Sequence, residues 1–205
     1  MIHQYLTIGN GRLMIWKTTE DLDDLKRELQ NPVNLQEYDA LLSDKRKKEF
    51  LAVRVALKKM LSKEEVIFYH SSGKPFLSKE HYNISISHSG CWVALFLHPD
   101  KDIGVDIELF RPKMEKLYTR FLNENEQSYL YEGNDISKVR ITWSAKEVLY
   151  KIIGEEAVDF AAQLEIKPFD LMPEGEIKAE HLISKKMYNL WYKLNDDYVL
   201  VYCID

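Results

Sequence analysis

Two stretches of this chain repeat each other. Tyr188-Asn189-Leu190 matches Tyr82-Asn83-Ile84, and Tyr198-Val199-Leu200-Val201-Tyr202 matches Trp92-Val93-Ala94-Leu95-Phe96 at the same offset. Hairpins share apolar patterns by chance, so the repeat needs support from another kind of element. A helix supplies it: FLAVRVALKKM from Phe50 aligns without gaps to WSAKEVLYKII from Trp143, which sets Arg54 opposite Glu147 and Lys58 opposite Lys151. A chain that repeats a helix and a hairpin in this way is expected to be an α+β fold of two pseudo-symmetric halves, residues 1–102 and 103–205. A seam between such halves is a natural place for a ligand pocket, and the active site is expected at that interface.

The local patterns fill in this frame. Residues 12–16 predict a short strand, followed by an acidic helix capped by Thr18 or Thr19 and stopped near Asn31-Pro32. A second helix is predicted from Ser43-Asp44, with Phe50, Val53, Leu57 and Leu61 at helical spacing. SSGKPF reads as a turn around Gly73 and Pro75, NISISHSGCWVALFL as a hairpin about Ser89-Gly90, and DIGVDIEL as a third strand. Further helices are predicted around 114–120, after Asn123 and from Ser137 to Ile153, before a closing hairpin.

Composition excludes several functions. Of 205 residues 45% are hydrophobic, enough for a substantial core. Twenty-eight basic residues against 33 acidic ones, a net charge of -5, argue against nucleic-acid binding by a basic blanket. Two cysteines, Cys91 and Cys203, offer no disulfide framework or zinc spacing, so reducing, cytoplasmic surroundings are expected. No run of about 18 apolar residues occurs and the N-terminus does not resemble a signal peptide, so a soluble, unexported protein without membrane contact is expected.

Chemistry concentrates in three places. In Ile103-Gly104-Val105-Asp106-Ile107-Glu108 the strand period of two puts Asp106 and Glu108 on one face. They fit either a solvated strand face or a divalent-cation site, in which both acids stay ionised. Gly104 on that face leaves room for close approach of a ligand. On the predicted helix, Ser144, Glu147 and Lys151 lie together, either as an ordinary i,i+4 ion pair or as a third metal ligand with a cation for phosphate. Ser87 and His88 stand at a strand end where both can donate to an anion, or where the histidine simply satisfies a turn. No serine nucleophile elbow or Cys-His pairing is evident, so covalent catalysis is not expected.

GKP at 73–75, NISISHSG at 83–90, IGVDIE at 103–108 and WSAKEVLYK at 143–151 occur in the order and approximate spacing of 4'-phosphopantetheinyl transferases. The chain resembles the longer, single-chain, surfactin-synthetase-activating type over residues 43–154, with the internal repeat carrying the likeness toward the C-terminus. The resemblance implies that Asp106, Glu108 and Glu147 hold magnesium against the pyrophosphate of coenzyme A, and that Lys151 contacts that pyrophosphate and takes part in catalysis. It also implies that Ser87, His88 and Lys74 hold the 3'-phosphoadenosine end, with Arg54 and the basic run Lys45 to Lys48 on the same side. The family's candidate base falls on Glu126, although Leu122 and Asn123 replace its usual Phe and Ser, and Asn123-x-x-Glu126 is also a capping-box spacing.

The implied reaction transfers 4'-phosphopantetheine from coenzyme A to a serine of an apo acyl or peptidyl carrier protein and releases adenosine 3',5'-bisphosphate. The competing expectations are another metal-dependent phosphoester hydrolase and a non-catalytic coenzyme A-binding protein. Two halves in one chain make a monomer the expected state.

Overall fold

A computed structural model describes residues 2–78, 81–110, 118–130, 136–154 and 158–205. The chain divides into two compact units, Met1–Lys101 and Asp102–Asp205. In the N-terminal unit the strands β1 (Ile2–Ile8), β2 (Gly11–Lys17), β5 (Asn83–Ser89) and β6 (Trp92–His98) form an antiparallel sheet in the order β1-β2-β6-β5. Between β2 and β5 come the helices α1 (Leu22–Arg27), α2 (Pro32–Asp39) and α3 (Asp44–Leu61), then a small ribbon of β3 (Ile67–Tyr69) and β4 (Pro75–Leu77). The buried side of α3, with Leu51, Val55 and Leu57, packs into one cluster with Met14, Trp16, Val93 and Leu95 of the sheet.

The C-terminal unit repeats this plan and extends it. Its elements are β7 (Ile103–Leu109), α4 (Glu124–Leu130), α5 (Ser137–Ile153), α6 (Phe160–Gln163), β8 (Leu164–Ile166), β9 (Glu174–His181), β10 (Lys186–Leu194) and β11 (Tyr198–Ile204). Its sheet runs β7-β11-β10-β9-β8. In both units a strand leads to a long helix and then to a hairpin whose second strand returns to pair with the first. β6 and β11 are therefore interior strands, paired on both edges, and each carries a continuous apolar run. The repeat seen in the sequence is thus a repeat of topology. No described helix is long and apolar enough to cross a membrane.

Local chemistry sets the helix ends. Ser43 accepts from the Arg46 amide at 3.2 Å, as a Ser N-cap should, and α5 spans the predicted Ser137–Ile153 before Gly154 turns into the left-handed region at φ 68. Other expectations are corrected. The cap of α1 is Asp21, which accepts from the Asp24 amide at 2.8 Å, whereas the Thr18 amide continues the sheet by donating to the Cys91 carbonyl. Pro32 begins a helix instead of ending one: Asn31 caps the Val33 amide and Pro32 sits in the first turn, where its missing N–H costs nothing. The strand β1 was not foreseen. Of the helix expected around 114–120, residues 114–117 lie outside the described residues, and Tyr118–Arg120 is a 3-10 turn.

Gly104 also has a different purpose from the one expected. A Cβ there would lie 2.6 Å from the Val148 carbonyl oxygen and 2.8 Å from its Cγ1. The missing side chain admits the backbone of α5 onto β7, not a ligand. Because the nearest atom belongs to a helix backbone that cannot rotate away, Gly104→Ala is expected to cost about 1–3 kcal/mol by overpacking. Chemical denaturation of the variant would measure it, and an unchanged midpoint would contradict the close approach.

Candidate functional site

Within the C-terminal unit the expected metal residues converge from two elements. β7 presents Asp106 and Glu108 on one face, and that face meets α5, as the close approach at Gly104 requires. Asp106 is 5% exposed and Glu108 and Glu147 are half-buried. Lys151 does not spend its charge on Glu147 one turn away. Its ammonium crosses to the strand and donates to the Val105 carbonyl at 2.8 Å and Asp106 Oδ1 at 3.0 Å. Glu147 is left among like charges: burial first, then Asp106, with a smaller push from Glu108, drive its carboxyl up to about 7, against the restraining pull of Lys151. The three acids therefore feel one another. Among the described residues, however, no three His, Cys, Asp or Glu groups are gathered into a ready coordination shell.

The donor set nevertheless suits a hard divalent cation. All three groups are carboxylates, and such a cation relieves the repulsion that raises Glu147.

Glu126 lies elsewhere in the same unit and is 0% exposed. Its Oε2 accepts from the Asn123 amide at 2.9 Å, while its own amide donates to Asn123 Oδ1 at 2.8 Å, so the capping box is formed. Oε1 takes the Ile166 amide at 2.8 Å, and Oε2 also takes the ammonium of Lys146 at 2.6 Å. Lys146, likewise 0% exposed, donates further to the carbonyls of Phe121, Phe160 and Leu164 at 2.8, 2.9 and 2.8 Å. Burial pushes Glu126 up and Lys146 down, and their mutual attraction opposes both shifts.

In the N-terminal unit a cavity of about 320 Å³ is lined by Arg46, Glu49, Arg54, Tyr69 and His88, with Leu41, Phe50, Val53 and Ile86 as its apolar wall. Arg54 is 4% exposed and donates from Nη2 to Glu37 Oε2 at 2.8 Å, with its guanidinium carbon 3.3 Å from the centre of the Phe50 ring. Burial is the largest influence on Arg54 and works against its charge, while Tyr69 and Glu37 support it. Glu49 draws Arg46 to 3.1 Å, and His88 Nδ1 stands 3.7 Å from it.

Of the residues expected to hold the 3'-phosphoadenosine end, Arg54 and His88 share this cavity. Ser87 and Lys74 do not line it. Strand alternation is the reason for Ser87: Ile86 and His88 face the cavity, so the residue between them points to the other side of β5. Lys74 lies in the turn between β3 and β4, where its carbonyl accepts from the His70 amide at 3.0 Å. From the basic run only Arg46 lines the cavity.

Glu49, Tyr69, Glu37 and Lys146 were not foreseen. A signal existed for Glu49, because Arg46, Glu49, Phe50, Val53 and Arg54 recur at spacings of three and four along α3 and so share one helical stripe.

The family model of the 4'-phosphopantetheinyl transferase superfamily matches residues 102–203, the stretch that carries the acid cluster, Lys151 and Glu126. The chain is 30% identical over 118 residues to the 4'-phosphopantetheinyl transferase AcpT of Escherichia coli strain K12, covering 55% of this chain and 60% of that protein. It is 28% identical over 121 residues to the human L-aminoadipate-semialdehyde dehydrogenase-phosphopantetheinyl transferase, covering 50% of this chain and 38% of that one. A phosphopantetheinyl transferase of Thraustochytrium is 29% identical over 101 residues, 40% of this chain and 35% of its own length. These matches span less than two thirds of each relative. The chain belongs to the 4'-phosphopantetheinyl transferase superfamily.

Proposed function

We propose that the protein transfers 4'-phosphopantetheine from coenzyme A to a serine of an apo acyl or peptidyl carrier protein. The observation that carries this reading is the meeting of Asp106 and Glu108 on β7 with Glu147 and Lys151 on α5, inside the unit that matches the family. Asp106, Glu108 and Glu147 would hold magnesium, which supplies charge neutralisation for the pyrophosphate when bound. Lys151 already delivers its ammonium to this face through Asp106, and a phosphate oxygen gives it a second anionic partner. Arg54 and His88, with Arg46, take the 3'-phosphoadenosine end, while Ser87, which faces the other side of β5, and Lys74, in the turn between β3 and β4, lie outside that cavity. Of the family's types, the longer single-chain one fits the shared strand, helix and hairpin order of the two units.

In the proposed reaction the serine oxygen forms a bond to the β-phosphorus of coenzyme A. The bond from that phosphorus to the bridging oxygen breaks, and adenosine 3',5'-bisphosphate leaves with the electron pair. The protein's work is alignment and charge placement, since such a transfer asks little covalent chemistry of it. The serine proton passes either to Glu126, the role the family pattern gives it, or to solvent water. For Glu126 to serve, it must first leave Lys146 and two amides, so its present bonding supports a helix cap and counter-ion.

Incubation of apo carrier proteins with coenzyme A and magnesium should add the phosphopantetheine mass to the carrier and release adenosine 3',5'-bisphosphate in equal amount. Carriers of several kinds left unmodified, with no bisphosphate formed, would overturn the reading. The cysteines are both free, Cys91 exposed and Cys203 buried, which suits a reducing cytoplasm. Light scattering is expected to return a monomer.

A further inference from the structure

Arg54 and Glu37 form an ion pair whose two members are held very differently. The guanidinium is 4% exposed, lies on the Phe50 ring, and has a buried Nε with no hydrogen-bond partner. It cannot leave without opening the core of α3. Glu37 comes from α2, is 42% exposed, and reaches Arg54 through one 2.8 Å contact. Its carboxylate can swing into water and rehydrate at little cost, while the cation behind it still needs an anion. The same cavity wall carries Arg46 and His88, both drawn toward Glu49, so another anion entering there meets two guanidinium groups and an imidazole that can donate.

We infer that Glu37 is a displaceable counter-ion, which occupies Arg54 until a phosphate monoester takes its place and thereby sets the affinity of the cavity for phosphate. This inference rests on the proposed placement of the 3'-phosphoadenosine end in that cavity. Glu49 differs from Glu37. Its side chain is 11% exposed and is approached by Lys45, Arg46 and His88 at 3.8, 3.1 and 3.7 Å, so it stays and keeps those groups oriented.

The test is calorimetric titration of the full chain and its Glu37→Gln variant with adenosine 3',5'-bisphosphate at low ionic strength. The substitution keeps the shape of a half-exposed side chain, and melting curves of both proteins verify the fold. Loss of the competing charge should tighten binding about fivefold, the factor that corresponds to an ion pair of about 1 kcal/mol, and added salt should shrink the gain. If Glu37 were instead a fixed part of the site, the folded variant would bind equally or more weakly. That result overturns the displaceable role and leaves the ligand reading standing. Absence of binding to either protein overturns both, and binding by the variant alone supports the inference.

Discussion

Glu147→Gln is expected to lower carrier modification by about 100-fold or more in kcat/KM, since a group that holds the charge-neutralising ion contributes mainly to the transition state. The same substitution should leave the fold intact or make it more stable. Glu147 ordinarily titrates at 4.5, and here burial, Asp106 and Glu108 push it up to about 7. The folded chain therefore binds this proton more tightly than the unfolded chain. Ionising the group costs stability as the pH rises from 4.5 through about 7, and the cost is fully present above that window. A neutral amide avoids it. Melting curves in chelator at pH 8 should show the variant no less stable than the parent. Magnesium should raise the melting temperature of the parent and do so much less for the variant. Full activity in Glu147→Gln, or an equal magnesium shift in both proteins, would remove Glu147 from the metal site.

Asp106 and Glu108 could be placed on one face from the sequence because a strand has a period of two. Glu147 and Lys151 could be placed on one helix face by the same kind of local rule. What no local rule contains is which strand that helix covers. The close approach of Val148 to Gly104 depends on tertiary packing, so local rules leave Gly104 open to a ligand where the fold makes it a helix contact. Pro32 shows another limit, since the same residue marks a helix end or a helix start and only the bond from the Val33 amide to Asn31 decides between them. Ser87 and His88 were grouped because they are neighbours in the chain, although alternation along β5 turns them apart. Lys146 carried no signal at all, because a lysine in a helix normally reaches water and its carboxylate partner lies 20 residues away.

That lysine carries the largest expected effect on stability. Lys146→Met removes a fully buried ammonium and leaves the Glu126 carboxylate without its counter-charge, a change that typically costs about 3–5 kcal/mol. Three carbonyls, on Phe121, Phe160 and Leu164, lose their donor at the same time. Glu126→Gln should also destabilise, since Lys146 then keeps only uncharged acceptors, and the amides of Asn123 and Ile166 lose an ionised one. Removing both charges in Lys146→Met, Glu126→Gln should cost less than the sum of the single changes, because neither charge is left buried alone. Hydrogen exchange at the Ile166 amide provides a local readout: its protection should fall in Glu126→Gln, since that amide bonds directly to Oε1. The same variant decides the role of Glu126. If it is a cap and counter-ion, whatever activity is lost will follow the loss of stability and return on cooling or with stabilising osmolyte. A proton acceptor would instead show a collapse of kcat at unchanged stability and unchanged exchange. The bonds on the two carboxylate oxygens favour the first result, because an ammonium and two amides all donate to the ionised form of a group that is 0% exposed.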